Sequence, residues 1–224
     1  ETDIYHPGGL DLVKKFDASY DWPGHHLSKK VAQGQKNALN YSRHIERTIK
    51  RYGPENIVVN FVSNHDENSW NGTIEESYGK AAYAFMALNY TIPGMPLVYS
   101  GQEYDLNKRL HFFEKDSFPK VSGKTMEFLQ QLGALKNNHK ALTSGLSGGS
   151  FKRLLNSKND QILAFERERD GDTIVFIANL SKDYAQFTLP YEGNFKRFQD
   201  FKNKRLSSSY QYDMKPWEFW ILTN

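Results

Sequence analysis

Hydrophobic and polar positions follow two different patterns along the chain. Up to about residue 140, short apolar runs alternate with longer stretches of helical periodicity. From residue 141 onward, short alternating runs are separated by turn signals such as Asp170-Gly171-Asp172. Alternating strands and helices are typical of a parallel sheet covered by helices, and short alternating strands are typical of an antiparallel sandwich. The pattern therefore predicts an α/β part over residues 1–140 and an all-β part over residues 141–224.

The α/β part contains three strand candidates, at Lys15–Tyr20, Asn56–Ser63 and Met95–Ser100. The last two are almost continuously apolar, as is typical of parallel strands buried on both faces. Helical patterns lie at about His25–Arg51, interrupted near Gly34, at Tyr78–Tyr90 and at Lys124–Asn138. A closed barrel of eight βα units takes about 250 residues. Three units therefore indicate either a small open sheet or part of a larger barrel.

The all-β part begins after a glycine-rich stretch that contains Gly145, Gly148 and Gly149. Its six strand candidates are Phe151–Leu155, Gln161–Arg167, Thr173–Asn179, Gln186–Leu189, Phe195–Phe201 and Glu218–Leu222. Short strands at this spacing predict an antiparallel β-sandwich.

Composition excludes only a few classes of protein and leaves most functions open. A net charge of +3 without a basic stripe argues against a nucleic-acid partner. The absence of cysteine excludes disulfides but leaves the compartment open. No apolar run approaches the ~20 residues that span a bilayer. The chain has 15 Phe, 13 Tyr and 4 Trp, which could fill a core or present ring faces to sugars, and composition alone favours the core.

Polar clusters directly follow two of the predicted strands. Asn64-His65-Asp66 follows the second strand, and Gly101-Gln102-Glu103 follows the third. The carboxyl ends of the strands form the active-site face in β/α barrels. The first cluster is therefore either a functional site or a helix cap with a structural histidine. Glu103 either faces the same cleft as Asp66 or hydrogen-bonds the rim, and the rim role is favoured. His65, Asp66 and Glu67 would chelate one metal ion poorly, since neighbours on an extended strand point to opposite sides.

Four segments resemble the α-amylase superfamily, glycoside hydrolase family 13. Asn64-His65-Asp66 is similar to the fourth short conserved region of that family. The other three segments are Phe16–Trp22, which resembles the sixth strand, Pro93–Glu103, which resembles the eighth strand, and Lys108–Asp116, which resembles the loop that follows it. The resemblance implies the C-terminal part of a TIM (β/α)8 barrel, about its last three βα units, followed by the family's C-terminal β-sandwich domain.

The resemblance also implies a function, which is retaining hydrolysis of α-glucans such as starch or maltooligosaccharides. Such enzymes use a carboxylate nucleophile and a general acid ~5 Å apart. Asp66 matches a third carboxylate that binds sugar hydroxyls, and His65 matches a residue that hydrogen-bonds the same sugar. Asn64, Trp70 and Arg109 are further candidate substrate contacts. No organic cofactor is implied; calcium is frequent in the family, but its usual site lies largely in the N-terminal half.

The family's other two catalytic carboxylates have no clear match here. The resemblance places the nucleophile upstream of residue 1, and the general acid either at Glu1 or just upstream of it. The chain is therefore expected to be inactive alone and to need, as its partner, the N-terminal half of the barrel. Two alternatives remain: a non-catalytic glucan-binding relative, and a transglycosylase, branching or isomerising enzyme of the same superfamily.

Overall fold

A three-stranded parallel sheet forms the centre of the first part of the chain in the computed structural model, which describes residues 5–200 and 202–224. Its strands are β1 (Ala18–Tyr20), β2 (Ile57–Phe61) and β3 (Met95–Leu97), in the order β1-β2-β3. Ala18 pairs with Ile57, and Val59 pairs with Met95. Since the strands are parallel, the residues that follow them meet at one edge of the sheet.

Helices cover and connect these strands. They are α1 (Gly9–Val13), α2 (Trp22–Ala32), α3 (Ala38–Tyr52), α4 (Ile74–Tyr78), α5 (Ala82–Thr91) and α6 (Lys124–Asn138). The interruption predicted near Gly34 is confirmed: Gly34 has a φ of +77°, a left-handed conformation that favours glycine. Asn37 then starts α3 with a capping box, in which Asn37 and Asn40 each accept the other's backbone N–H. None of the described helices is long and apolar enough to cross a membrane.

Helix α5 lies at the centre of the main hydrophobic core. Ala84, Phe85, Ala87 and Leu88 are completely buried, because α5 is covered on nearly all sides and only Tyr83 is exposed. This arrangement explains why its sequence is apolar almost all round rather than amphipathic. Burying a leucine or phenylalanine side chain contributes about 1.5–3 kcal/mol, so α5 anchors the sheet to the rest of the molecule.

The last third of the described chain is antiparallel, as predicted. A six-stranded sheet has the order β4-β5-β6-β11-β8-β9, and a two-stranded sheet pairs β10 with β7. The bounds are β4 (Ser150–Arg153), β5 (Ile162–Arg169), β6 (Asp172–Asn179), β7 (Ala185–Thr188), β8 (Gly193–Arg197), β9 (Asn203–Leu206), β10 (Gln211–Met214) and β11 (Phe219–Thr223). The sequence patterns did not predict β9 and β10, and Phe201, the end of one predicted run, lies outside the described residues.

The two faces of the larger sheet have different neighbours. Leu163 and Phe165 belong to the same core as α5, whereas Ala164 packs with Phe187 and Met214 of the smaller sheet. Successive strand residues point to opposite faces, so one continuously apolar strand serves both cores. The larger sheet is therefore sandwiched between helices and the smaller sheet.

A buried arginine ties the antiparallel sheet to the helical part. Arg167, 1% exposed, donates hydrogen bonds to the carbonyl oxygens of Thr91, Ser150 and Gly149 at 3.1, 2.9 and 3.2 Å. Thr91 is the last residue of α5, so the guanidinium joins that helix to β4 and β5. This contact holds the parallel sheet in a fixed relation to the antiparallel one.

Candidate functional site

The turn after β2 carries the first predicted polar cluster. Asn64 is 1% exposed, and its Oδ1 accepts the backbone N–H of Glu67 at 2.9 Å. A π-helical turn, Glu67–Asn71, follows directly. The side chains of His65 and Asp66 are 43% and 34% exposed, and His65 Nε2 lies 3.7 Å from Asp66 Oδ2. A buried amide thus holds the turn, and an imidazole and a carboxylate are presented side by side at the surface.

The structure shows how Asn64 is held. Its side chain is 1% exposed and accepts a hydrogen bond from the backbone of the next turn. Asn is a preferred residue for capping a helical turn in this way. Within the described residues, Asn64 thus holds the turn that carries His65 and Asp66.

Glu67, next to Asp66, is the centre of a buried charged cluster that sequence reasoning missed. Only 4% of Glu67 is exposed. Its Oε2 lies 2.9 Å from His25 Nε2 and 2.8 Å from Lys29 Nζ, and its Oε1 accepts the Asn71 Nδ2–H at 3.0 Å. His25 and Lys29 are four residues apart on α2, which places them on one helix face. The spacing of His25 and Lys29 was the signal present in the sequence, but no local pattern linked these two residues to Glu67.

Electrostatics keep this cluster in a defined charge state. Burial alone would raise the pKa of Glu67, but the close contacts of its carboxylate with His25, His26 and Lys29 outweigh it and hold the pKa well below its usual range. Burial lowers the pKa of His25, although its contact with Glu67 opposes that shift. At neutral pH, Glu67 is therefore ionised, His25 is neutral and Lys29 supplies the compensating charge. The cluster fixes the turn after β2 to α2.

The other two strand ends hold their carboxylates in structural contacts. Asp21, which follows β1, accepts the Gly24 backbone N–H at 3.0 Å and pairs with His44 Nε2 at 2.8 Å. Glu103 accepts the backbone N–H of Gly101 at 2.9 Å, in a turn where Gly101 has a φ of +92°. This contact agrees with the rim role expected of Glu103. Asp66 is thus the carboxylate presented beside an exposed imidazole at this edge of the sheet.

The segment from Asn107 to Asp116 is fastened to the π-helical turn. Asn68 accepts the Leu110 N–H at 2.8 Å and donates to the Lys108 carbonyl at 3.1 Å. Ser69 Oγ donates to the Leu110 carbonyl at 2.7 Å. Lys108 Nζ also pairs with the Asp116 carboxylate, which closes the segment into a loop. The loop therefore has a defined position relative to Asp66.

Arg109 belongs to the same set of fastening contacts. Its Nε and Nη2 donate to the two carboxylate oxygens of Glu76 at 3.0 and 3.1 Å, and both side chains are about half exposed. A bidentate arrangement of this kind orients the guanidinium. In the structure, Arg109 is thus engaged by α4, at the base of the loop.

Trp70 and two loop phenylalanines form an exposed aromatic group beside His65. Trp70 is 58% exposed and lies 5.3 Å from Phe112 between ring centroids. Phe112 lies 4.7 Å from Phe113 and 5.6 Å from His65, with the His65 ring tilted by only 27°. Trp70, expected from the sequence to contact substrate or to pack against the rim, is thus an open ring face close to Asp66.

Two further expectations concern a metal ion and the general acid. Within residues 5–200 and 202–224, no three or more His, Cys, Asp or Glu side chains are grouped so as to hold a metal ion. Glu1, the candidate general acid, lies outside the described residues.

Comparison with known proteins gives consistent matches. A family model described as "Maltogenic Amylase, C-terminal domain" matches residues 152–221. α-Amylase MalA of Haloarcula japonica is 24% identical over 131 residues, which are 58% of this chain and 19% of that protein.

Solved α-amylase structures match nearly the whole chain in fold. The maltogenic α-amylase AmyB of Thermotoga neapolitana gives a TM-score of 0.82 at 18% identity, covering 97% of this chain and 53% of that one. An α-amylase of Lactobacillus plantarum gives 0.76 at 16% identity, with 96% and 49% covered. GTA of Geobacillus thermoleovorans, complexed with acarbose, gives 0.72 at 16% identity, with 96% and 50% covered.

These coverages define which part of the relatives is matched. The chain spans about half the length of the solved structures and a smaller share of MalA. The family model, the curated relative and the solved structures all represent the α-amylase family, glycoside hydrolase family 13. This chain matches the C-terminal region of that family.

Proposed function

We propose that this chain supplies the last three βα units of a (β/α)8 barrel, over residues 1–140, and a C-terminal β-sandwich, over residues 141–224. The barrel is that of a retaining α-glucan hydrolase, which cleaves α-glucosidic bonds in starch or maltooligosaccharides. The observation that carries the proposal is the exposed pair His65 and Asp66 at the carboxyl end of β2. It is supported by the matched α-amylase GTA, whose structure was solved in complex with acarbose.

Asp66 acts in this proposal on the sugar at the cleavage point. Its carboxylate accepts hydrogen bonds from ring hydroxyls, and His65 hydrogen-bonds the same sugar. The ring flattens as the transition state acquires oxocarbenium character. Hydrogen bonds that fit the flattened ring better than the relaxed ring lower the barrier to cleavage instead of merely tightening binding. Asn64 and Glu67 serve this function by holding the turn in place.

The remaining chemistry comes from the N-terminal half of the barrel, which is the proposed partner of this chain. That half contributes the carboxylate nucleophile, and the general acid lies at Glu1 or just upstream of it. The two carboxyl groups of a retaining enzyme lie about 5 Å apart. The described chain needs no cofactor for its own role in this scheme, and any calcium is held by the other half.

The proposal is tested by comparing this chain alone with the complete protein, which is the same chain joined to its N-terminal half. The complete protein is expected to cleave maltoheptaose and to release an α-anomer first, as observed by NMR, because retention preserves the configuration. The 224-residue chain alone is expected to release no product. A β-anomer would contradict the retaining mechanism. Transfer products, or binding without cleavage, would favour the transglycosylase or the glucan-binding alternative.

A second experiment separates a fastening role of Arg109 from substrate contact. Arg109→Ala and Glu76→Gln remove the same exposed ion pair, and exposed ion pairs contribute little to stability. We expect both variants of the complete protein to keep the wild-type unfolding midpoint and to change the KM for maltoheptaose by less than about twofold, because each side chain is engaged by the other and the exposed pair contributes little to stability. A rise in KM in Arg109→Ala alone would show that Arg109 contacts the substrate.

A further inference from the structure

A cavity of about 270 Å³ lies where the antiparallel part of the fold meets the helices and strands of the first part. Helix α3 and strand β2 contribute Ile49, Tyr52 and Val58 to its lining, and Arg167 and the glycine-rich segment 143–150 contribute the antiparallel side. A cavity of this size can hold several water molecules or a small organic molecule. Among the described residues, its lining shares no member with the π-helical turn or with the loop that is fastened to that turn.

Arg167 is the only cation in the lining of this cavity among the described residues. It is 1% exposed, and three of its N–H groups donate to backbone carbonyls. A guanidinium has five N–H donors, so two remain after these contacts. The one carboxylate among the described lining residues, Asp21, is already paired with His44 at 2.8 Å. Buried charges are normally paired, yet no carboxylate within residues 5–200 and 202–224 forms an ion pair with Arg167.

A second buried cation, Lys136, adds to the positive charge beside the cavity. Its Nζ donates to the carbonyl oxygens of Gly94 and Leu142 at 3.0 and 2.7 Å, and Ser144 Oγ donates to the same Gly94 oxygen at 2.7 Å. Gly94 and Ser144 both line the cavity. Burial and, to a smaller extent, the charge of Arg167 lower the pKa of Lys136 to about 8, and burial lowers the pKa of Arg167 to about 10. Both shifts have the direction expected of buried positive charges that no anion compensates.

Apolar side chains form much of the remaining lining. Ile45 and Ile49 come from α3, Val58 from β2 and Phe151 from β4, and Ile92 directly follows α5. Such walls favour a ligand with a hydrocarbon part, because removing apolar surface from water is favourable. Ligand sites commonly combine a mainly apolar lining with a few polar or charged groups, as this cavity does.

We propose that this cavity binds a small organic carboxylate, whose charged head pairs with Arg167 and whose hydrocarbon body lies against Ile45, Ile49 and Phe151. A single negative charge on the ligand matches the one cation in the described lining, and guanidinium groups bind carboxylates through two parallel hydrogen bonds. The inference goes beyond the proposed function and does not depend on it. A ligand that binds only the folded protein would stabilise the contact between the two parts of the fold.

The test measures the binding of hexanoate to the complete protein by calorimetry, with two probes that each lack one half of its chemistry. Acetate keeps the carboxylate but has almost no hydrocarbon body, and hexanol keeps the body but has no charge. We expect a single hexanoate to bind, and acetate and hexanol to bind at least about tenfold more weakly. At about 100 times its Kd, hexanoate should raise the unfolding midpoint by on the order of 3 °C.

Two variants test whether hexanoate binds in this cavity, and both keep Arg167. Ile49→Trp and Leu146→Trp each add a ring to the lining and should weaken hexanoate binding at least about tenfold, because the ring occupies the space of the ligand. Leu146 is 71% exposed, so its replacement keeps the test valid if Ile49→Trp fails to fold. The matched control is Leu155→Trp, since Leu155 is 61% exposed and does not line the cavity. Its replacement should leave the Kd unchanged.

Several results would overturn the inference. Absence of hexanoate binding, or equally tight binding of hexanol, would show that Arg167 takes no carboxylate ligand. An unchanged Kd in both cavity variants would place hexanoate elsewhere on the protein. Tighter binding of inorganic phosphate than of hexanoate would indicate a site for an inorganic anion instead. Cleavage of maltoheptaose is measured separately, so a protein that binds hexanoate but cleaves no glucan would contradict the proposed function and leave this inference standing.

Discussion

Asp66→Asn in the complete protein is expected to lower kcat/KM for maltoheptaose by a factor on the order of 10³, without changing the unfolding midpoint. An amide has the shape of the carboxylate but lacks its charge, and hydrogen bonds to charged groups are roughly twice as strong as those to neutral ones. The loss falls on the transition state, in which the sugar carries positive charge. Stability is unaffected because the Asp66 side chain is 34% exposed and, although Asp66 is the N-cap residue of the π-helical turn, makes no capping hydrogen bond to it.

A matched control for this variant is Asp213→Asn. Asp213 is an exposed aspartate on β10, where it accepts a hydrogen bond from Gln186 at 3.1 Å. It lies in the antiparallel part of the fold, so its replacement should leave kcat/KM at the wild-type value. Near-normal activity in Asp66→Asn, with Asp213→Asn also normal, would show that Asp66 has been assigned the wrong role.

Glu67→Ala is expected to cause the largest loss of stability. Removing one partner of a buried ion pair costs about 3–5 kcal/mol, because the other charge is left buried without compensation. Here the group left behind is Lys29, with His25 beside it. A loss of this size lowers the unfolding midpoint by on the order of 10 °C in a protein of this length. Thermal unfolding followed by circular dichroism measures it, with the exposed Glu75→Ala as a control that should behave as wild type.

The pH dependence identifies the charge of Glu67 as the cause. Because folding lowers the pKa of Glu67, its contribution is fully present above the ordinary glutamate value of 4.5 and is lost progressively as the pH falls below it. Glu67→Gln keeps the volume but has no such contribution. The stability difference between wild type and Glu67→Gln should therefore be largest near neutral pH and should shrink below pH 4.5. A difference independent of pH would mean that packing, not charge, holds the turn.

Local patterns were sufficient to predict the three parallel strands and the longer helices. Helix α6 begins at Lys124 and ends at Asn138, as its amphipathic pattern indicated, and β2 lies inside the continuously apolar run from Asn56 to Ser63. The strand candidates were longer than the strands themselves. The third, for example, ends at Leu97 because the chain turns away before Gly101. An apolar run indicates which residues are buried, and the buried residues extend beyond those that pair with a neighbouring strand.

The contacts that build the site could not be predicted in the same way. His25-His26 precedes Glu67 by about 40 residues, and only the docking of α2 against β2 brings His25 to its carboxylate. Asn64 was identified as a residue of interest from its place behind a strand, but its burial and its cap depend on the π-helical turn that follows. Long-range partners of this kind are set by tertiary packing, which hydrophobic periodicity does not encode.

The strands that were missed have a similar explanation. β10 has the sequence Gln-Tyr-Asp-Met, in which only alternate residues are buried, and β9 is Asn-Lys-Arg-Leu with one fully buried residue. Both are short edge strands with polar exposed faces, which resemble loops in sequence. β10 forms a strand because it pairs with β7, and β9 because it pairs with β8. Their own composition does not indicate a strand.

Binding of maltoheptaose by Asp66→Asn tests the central claim most directly. The account assigns Asp66 to the transition state, so calorimetry on the complete protein should give a Kd within about threefold of wild type while the cleavage rate falls by a factor on the order of 10³. A Kd weakened by a factor on the order of 10³, with the cleavage rate of bound substrate unchanged, would mean that Asp66 binds substrate and transition state equally. A wild-type rate would mean that Asp66 takes no part in the reaction.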